Sequence, residues 1–180
     1  MKPILRDILI TLAIAVAIFL LLRATLQSYV VLQSCMEPNY QEGDRLLVNK
    51  AVYWFHEPER GDVIILDPPF ETEEVYIKRL IAIPGDTVEV KDGAVYINGT
   101  AIDESYIEES PTYTFPLTEI GEGEYFVLGD NRNNANDSHV WGTVPRDNII
   151  GKAWLVFWPL SSWGLANNYP LAEQLEAASE

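Results

Sequence analysis

A mainly β domain preceded by one N-terminal transmembrane helix is the fold class this sequence predicts, on three observations. A single uncharged apolar run, Ile8 to Leu22, stands near the N-terminus. Short strand-type runs broken by turn dipeptides follow it, and no helical period appears after the first run until the tail. The length of 180 residues leaves room for one anchor and one domain of ordinary size.

The apolar run is preceded by Lys2 and Arg6, contains only Thr11 as a polar residue, and is followed by Arg23. That core alone is short. Apolar character resumes through Leu26 and Tyr29-Val30-Val31-Leu32, so a tilted helix of ~20 residues is available, which sets the anchor at residues 8–28. The competing reading is a removable leader, which would end in small residues at alternate positions; Arg23-Ala24-Thr25-Leu26-Gln27-Ser28 offers no such pair. The basic residues ahead of the run favour a cytoplasmic N-terminus, residues 1–7, on a single-pass cell-membrane protein. The domain at 29–170 then lies outside the cytoplasm.

The strand-type runs are Asp44 to Val48, Asp62 to Leu66, Val75 to Ile83, Thr87 to Val90, Ala94 to Ile97, Tyr125 to Leu128 and Ile149 to Phe157. Between them stand Pro84-Gly85-Asp86, Lys91-Asp92-Gly93 and Asn98-Gly99, which tight hairpins require. Pro111 to Glu124 reads as an exposed, mobile loop. Ala153 to Pro159, followed by Trp163, is aromatic enough for either core or a membrane-facing patch. The tail, 171–180, is acidic, with a short helix expected over Leu171 to Ser179.

A formal net charge of -15, from 12 Lys+Arg against 27 Asp+Glu, argues against nucleic acid as a partner. Cys35 is the only cysteine, which excludes an internal disulfide, and with only His56 and His139 beside it no closed metal site is expected. No cofactor is expected.

Two residues carry candidate chemistry. Cys35 comes shortly after the anchor, where a reactive group would work at the membrane surface; the plain alternative is a small buried hydrophobe. In Val75 to Ile83, strand alternation places Lys78 on one face with Tyr76, Leu80 and Ala82. Burial disfavours the charged form of an amine, and a desolvated lysine serves as a general base. The alternative is an edge-strand lysine that snorkels to water.

Four segments, in order over Val31 to Gly164, resemble the type I signal peptidase family. Cys35-Met36-Glu37-Pro38 is similar to its Ser-Met-x-Pro nucleophile box, followed by Gly43-Asp44 and Leu46-Leu47-Val48-Asn49-Lys50. Tyr76-Ile77-Lys78-Arg79-Leu80 with Pro84-Gly85-Asp86 resembles the lysine box. Gly129-Asp130-Asn131-Arg132, Asp137-Ser138 and Trp141-Gly142 resemble the C-terminal box, and Gly151-Lys152-Ala153 closes it.

The resemblance implies a signal-peptidase-like β fold and a nucleophile/lysine dyad of Cys35 and Lys78, acting on the signal peptides of exported preproteins beside a lipid bilayer. It implies an oxyanion held by the backbone N–H of position 35, aided by the side chain of Gln33. Ser34 is adjacent to the nucleophile, and the neighbourhood of Met36 and Pro38 would wall the substrate pockets. Asp130 and Arg132 are expected to pair as scaffold, with Asp137 and Ser138 in support; a solvated turn is the plainer reading of Gly129-Asp130 taken alone, and an Asx-type turn that of Asp137-Ser138.

The sequence departs from the family pattern at three places. Cys35 stands where the family has serine, Ala135 where it has a serine that orients the lysine, and His139 where an arginine pairs with Asp137. Cys35 and Ala135 suggest a second reading, a catalytically impaired relative that binds exported segments without cleaving. A self-cleaving repressor shares the dyad, but the anchor and the charge oppose it. A Cys35/His139 peptidase has no supporting spacing.

Overall fold

The computed structural model describes residues 2–169 and 171–177. A helix, α1 (Lys2–Thr25), leads directly into β1 (Leu26–Val30), with no linker between them. It is exposed from residue 4 to residue 24 and apolar from Ile8 to Leu22 save for Thr11, with a mean hydropathy of 2.5 over its best window, so its length and composition suit a membrane span. The expected continuation of the helix beyond Thr25 is corrected. Leu26 to Val30 pairs antiparallel with β2 (Arg45–Asn49), from Leu26 opposite Asn49 to Val30 opposite Arg45. Gln27 and Ser28 interrupt the apolar stripe, and Tyr29 and Val30 suit a half-buried pleat.

The remaining elements are β3 (Val63–Leu66), β4 (Tyr76–Ala82), β5 (Thr87–Lys91), β6 (Ala94–Ile97), β7 (Thr100–Ala101), β8 (Phe115–Glu119), β9 (Glu124–Leu128), α2 (Ser138–Trp141), β10 (Val144–Pro145), β11 (Ile149–Trp158), β12 (Gly164–Leu165) and α3 (Leu171–Ala177). They form two antiparallel sheets. The larger runs β1-β2-β11-β3-β4-β9-β10, with β12 on β11; the smaller runs β7-β6-β5-β8. Asp92-Gly93 and Asn98-Gly99 all take positive φ, as tight hairpins demand.

The segment read as a mobile loop contains β8, which pairs with β5 through Val88 opposite Thr118. Its proline, Pro116, is compatible with a strand at the sheet's edge.

Three apolar clusters make up the core. One lies under Val31, Cys35, Met36, Leu46, Ile65 and Ile77; one joins the small sheet to Phe126 and Leu128; the third surrounds Leu80, Val127 and Val144. Strand β4 is buried along nearly its whole length because β3 and β9 flank it. A register shift between Leu80 and Ala82 breaks the alternation, so Ala82 packs in the second cluster while Leu80 stays in the third. In β11, Trp154 occupies the irregularity between Ala153 and Leu155. Trp154, Trp158 and Trp163 are exposed, which overturns their reading as core; Ala153 and Val156 provide the buried face.

Candidate active site

Two chain segments reach the same cleft from opposite sides. Residues 29–33 continue β1, the terminal strand of the large sheet, and residues 74–78 run into β4. The cross-strand pairing of β4 with β9 begins at Arg79, so residues 76–78 have no β9 partner. Both walls therefore offer main-chain groups along one edge, and Leu46, Ile65 and Ile77 make the floor apolar.

Cys35 sits in a 3-10 turn, Ser34–Met36, just beyond the first wall. Its Sγ lies 3.1 Å from Lys78 Nζ and 3.7 Å from the carbonyl oxygen of Ile77. The thiol is 4% exposed and Lys78 1% exposed. Among the described residues, Nζ has no other hydrogen-bond partner and forms no ion pair; the Tyr76 ring centre lies 5.2 Å away. A buried primary amine in contact with a thiol is placed to exchange a proton with it. The N–H of Cys35 makes no backbone hydrogen bond among the described residues.

The C-terminal box holds this turn from behind. The N–H of Asn131 donates to the Cys35 carbonyl at 3.0 Å, and Asn131 Nδ2 donates to the Ser34 carbonyl at 3.1 Å. Asn134 Nδ2 donates to Ser34 Oγ at 3.1 Å. Ser34 is thus turned toward the box and away from the lysine. A Cβ on Gly129 would stand 2.5 Å from the Cys35 carbonyl oxygen and 2.5 Å from Ala135 Cβ, so only glycine fits there. Asn131 and Asn134 were overlooked in the sequence, where the charged members of the box drew attention.

Asp130 and Arg132 are both buried, but they do not pair with each other. Asp130 accepts two bonds from Arg79, at 2.8 and 2.7 Å, and one from Asn39 Nδ2 at 2.8 Å. Arg79 also donates to the carbonyls of Gly61 and Asn167. Arg132 turns to Glu104 and the Tyr106 hydroxyl. Burial alone would push the Arg132 guanidinium down, but the charge and hydrogen bonds of Glu104 drive it up. Arg132 begins a 3-10 turn, Arg132–Asn134, that carries its side chain away from Asp130.

Asp137 and Ser138 are fully buried and support β9. Asp137 Oδ2 accepts from the Gly129 N–H at 2.9 Å, and Ser138 Oγ from the Val127 N–H at 3.0 Å. His139 Nδ1 lies 2.7 Å from Asp137 Oδ1, and its ring stacks on Tyr113 at 3.9 Å. The histidine thus partners Asp137, and the basic side chain in contact with Cys35 is Lys78. Ala135 packs against the cluster that contains Cys35 and presents no hydroxyl to Nζ.

Gln33 is exposed and lines the cleft beside Cys35. The assignment of Met36 and Pro38 to the pocket wall is corrected: Met36 is completely buried beneath the turn, Pro38 faces solvent, and neither lines the cleft. Tyr29, Val31, Leu46, Ile65 and Ile77 do so instead.

A family model described as "Signal peptidase, peptidase S26" matches residues 4–158. The probable signal peptidase I-1 of Synechocystis sp. is 47% identical over 141 residues, covering 74% of this chain and 72% of that protein. The signal peptidase I of Leptolyngbya laminosa is 44% identical over 136 residues, 72% of this chain and 67% of the relative. Signal peptidase I T of Bacillus subtilis is 40% identical over 161 residues, 82% of each. With the family match spanning most of the chain and such identities sustained over both partners, the chain belongs to the signal peptidase family, peptidase S26.

Proposed function

We propose that this protein is a membrane-bound endopeptidase that removes N-terminal signal peptides from exported preproteins. The observation that carries the reading is the 3.1 Å approach of Lys78 Nζ to Cys35 Sγ at the floor of a cleft with two strand-like walls. An extended peptide laid between those walls would add a strand to the sheet. Alternate side chains of such a peptide point the same way, so small residues at the first and third positions before the cut would meet the apolar floor.

In this mechanism Lys78 takes the proton of Cys35 as sulfur attacks the scissile carbonyl. The oxyanion is held by the Cys35 N–H and the Gln33 amide. Lys78 then gives its proton to the leaving amine, and water, activated by the same lysine, releases the acyl group from sulfur. Asp130, Arg132, Asp137 and Ser138 hold the strand ends that present the dyad. The helix anchors the domain, with the N-terminus cytoplasmic and the cleft outside.

The absence of a hydroxyl at Ala135 favours one further reading, a relative that binds exported segments without cutting. Both are tested by mass spectrometry of a preprotein incubated in detergent with the protein, its Cys35→Ala form and its Cys35→Ser form. Leader release after a small residue by the unaltered chain but not by Cys35→Ala supports the peptidase. Release by Cys35→Ser alone would assign the unaltered chain to binding.

A further inference from the structure

The buried dyad has a chemistry that peptide hydrolysis does not use. We propose that Cys35 and Lys78 form a reversible sulfur–nitrogen bond when the thiol meets a hydroperoxide, so that the dyad is a modification site that switches the enzyme off. The inference rests on the dyad reading above, since it uses the same amine and the same thiol.

Four observations converge. Sγ and Nζ are already in contact at 3.1 Å, and among the described residues the only other hydrogen-bonding partner of the sulfur is the Ile77 carbonyl oxygen. Lys78 is buried, and among the described residues its amine is committed to nothing else. Cys35 is the only cysteine of the chain, so no second thiol can capture an oxidised sulfur as an intramolecular disulfide. The cleft that Cys35 lines gives a small oxidant its route.

The chemistry balances in two steps. The Cys35 sulfur attacks the peroxide; a sulfur–oxygen bond forms, the oxygen–oxygen bond breaks, and the displaced oxygen leaves as water, giving a sulfenic acid. A sulfenic acid condenses with a thiol or with nitrogen. The Lys78 amine then attacks sulfur; the sulfur–nitrogen bond forms, the sulfur–oxygen bond breaks, and a second water leaves. Sulfur has been oxidised, the peroxide reduced, and the joined side chains are two hydrogen atoms lighter than the separate pair. An external thiol reverses the bond by attacking sulfur and returning the proton to the amine; a second thiol then frees Cys35 as a disulfide forms between the two reagents.

The test is peptide mass spectrometry of the full chain in detergent after a brief exposure to hydrogen peroxide. The expected result is one species joining the peptides that hold Cys35 and Lys78, lighter by two hydrogens and separated again by dithiothreitol. Lys78→Met should abolish it and let Cys35 run on to the sulfinic acid. Sulfinic acid in the unaltered chain with no joined species would overturn the proposal. The readout does not depend on preprotein cleavage: a chain that forms the bond but cuts nothing keeps the modification site and sinks the peptidase reading and the switch with it, and one that cuts without forming the bond sinks this proposal.

Discussion

Gly129 touches the nucleophile's own carbonyl, and that contact makes it a sharper probe of the site than most polar neighbours. Replacing it by alanine puts a methyl 2.5 Å from the Cys35 oxygen, so the turn must move. Gly129→Ala is expected to cost about 1–3 kcal/mol in denaturant unfolding and to lower kcat/KM more than it lowers stability. The Arg79 and Asp130 pair tests the scaffold. Both groups are buried, so Arg79→Ala alone strands a carboxylate and should cost about 3–5 kcal/mol, whereas a double alanine variant should cost less than the sum of the single changes. Additive losses in that cycle would refute the coupling. The meeting of Cys35 and Lys78 was legible in the sequence because each sits in a distinctive box. The partners of Asp130 and Arg132 were not. Adjacency suggested that the two pair, but the 3-10 turn at Arg132 separates them, and Glu104 lies in an irregular segment with no period to mark it.

Strand β1 is where reading the sequence and folding the chain diverge most. Its apolar residues extend the hydropathy of the helix, so composition alone runs one element into the next. Only pairing with β2 separates them, a long-range fact that local periodicity does not carry. A chain beginning at Leu26 is therefore expected to remain folded and competent in detergent. One beginning at Ser34 loses the strand and a wall of the cleft, and should show no cleavage with an earlier unfolding transition. The hairpins after β5 and β6 were legible because Asp92-Gly93 and Asn98-Gly99 force the turn locally, while β8, at the edge and carrying proline, gave no such signal. The turn at Pro84-Gly85-Asp86 adds a pH dependence. Burial pushes the Asp86 carboxyl up, but the bonds from Arg60, the Ile83 N–H and Asn98 outweigh it and hold it below its ordinary value of 3.8. A depressed carboxyl contributes stability in full above that ordinary value and loses it as pH falls through the folded one. Tm should drop as acidification carries the pH down from that ordinary value through the folded one, and Asp86→Asn should flatten that part of the curve; parallel curves would exclude the carboxyl as the cause.

At the scale of the whole molecule, an acidic body carries an apolar face. Trp154, Trp158 and Trp163 stand exposed with Leu160 and Leu165 on the β11–β12 side of the large sheet. Buried apolar area of that size is worth roughly tenfold in affinity per tryptophan. The domain without its helix is expected to bind zwitterionic vesicles, to lose most of that binding in the triple alanine variant, and to bind anionic vesicles less well because of its net charge of -15. Equal binding by the triple variant in a flotation assay would remove the membrane role from this face. The direct join of Thr25 to Leu26 bears on the same geometry. A span joined to a cleft wall with no linker would work as a caliper, setting the height at which the blade meets its target above the lipid. Leaders would then be measured by where they surface as well as by which residues they present, and a flexible insert at that joint should blur the choice between neighbouring cut sites without dulling the edge.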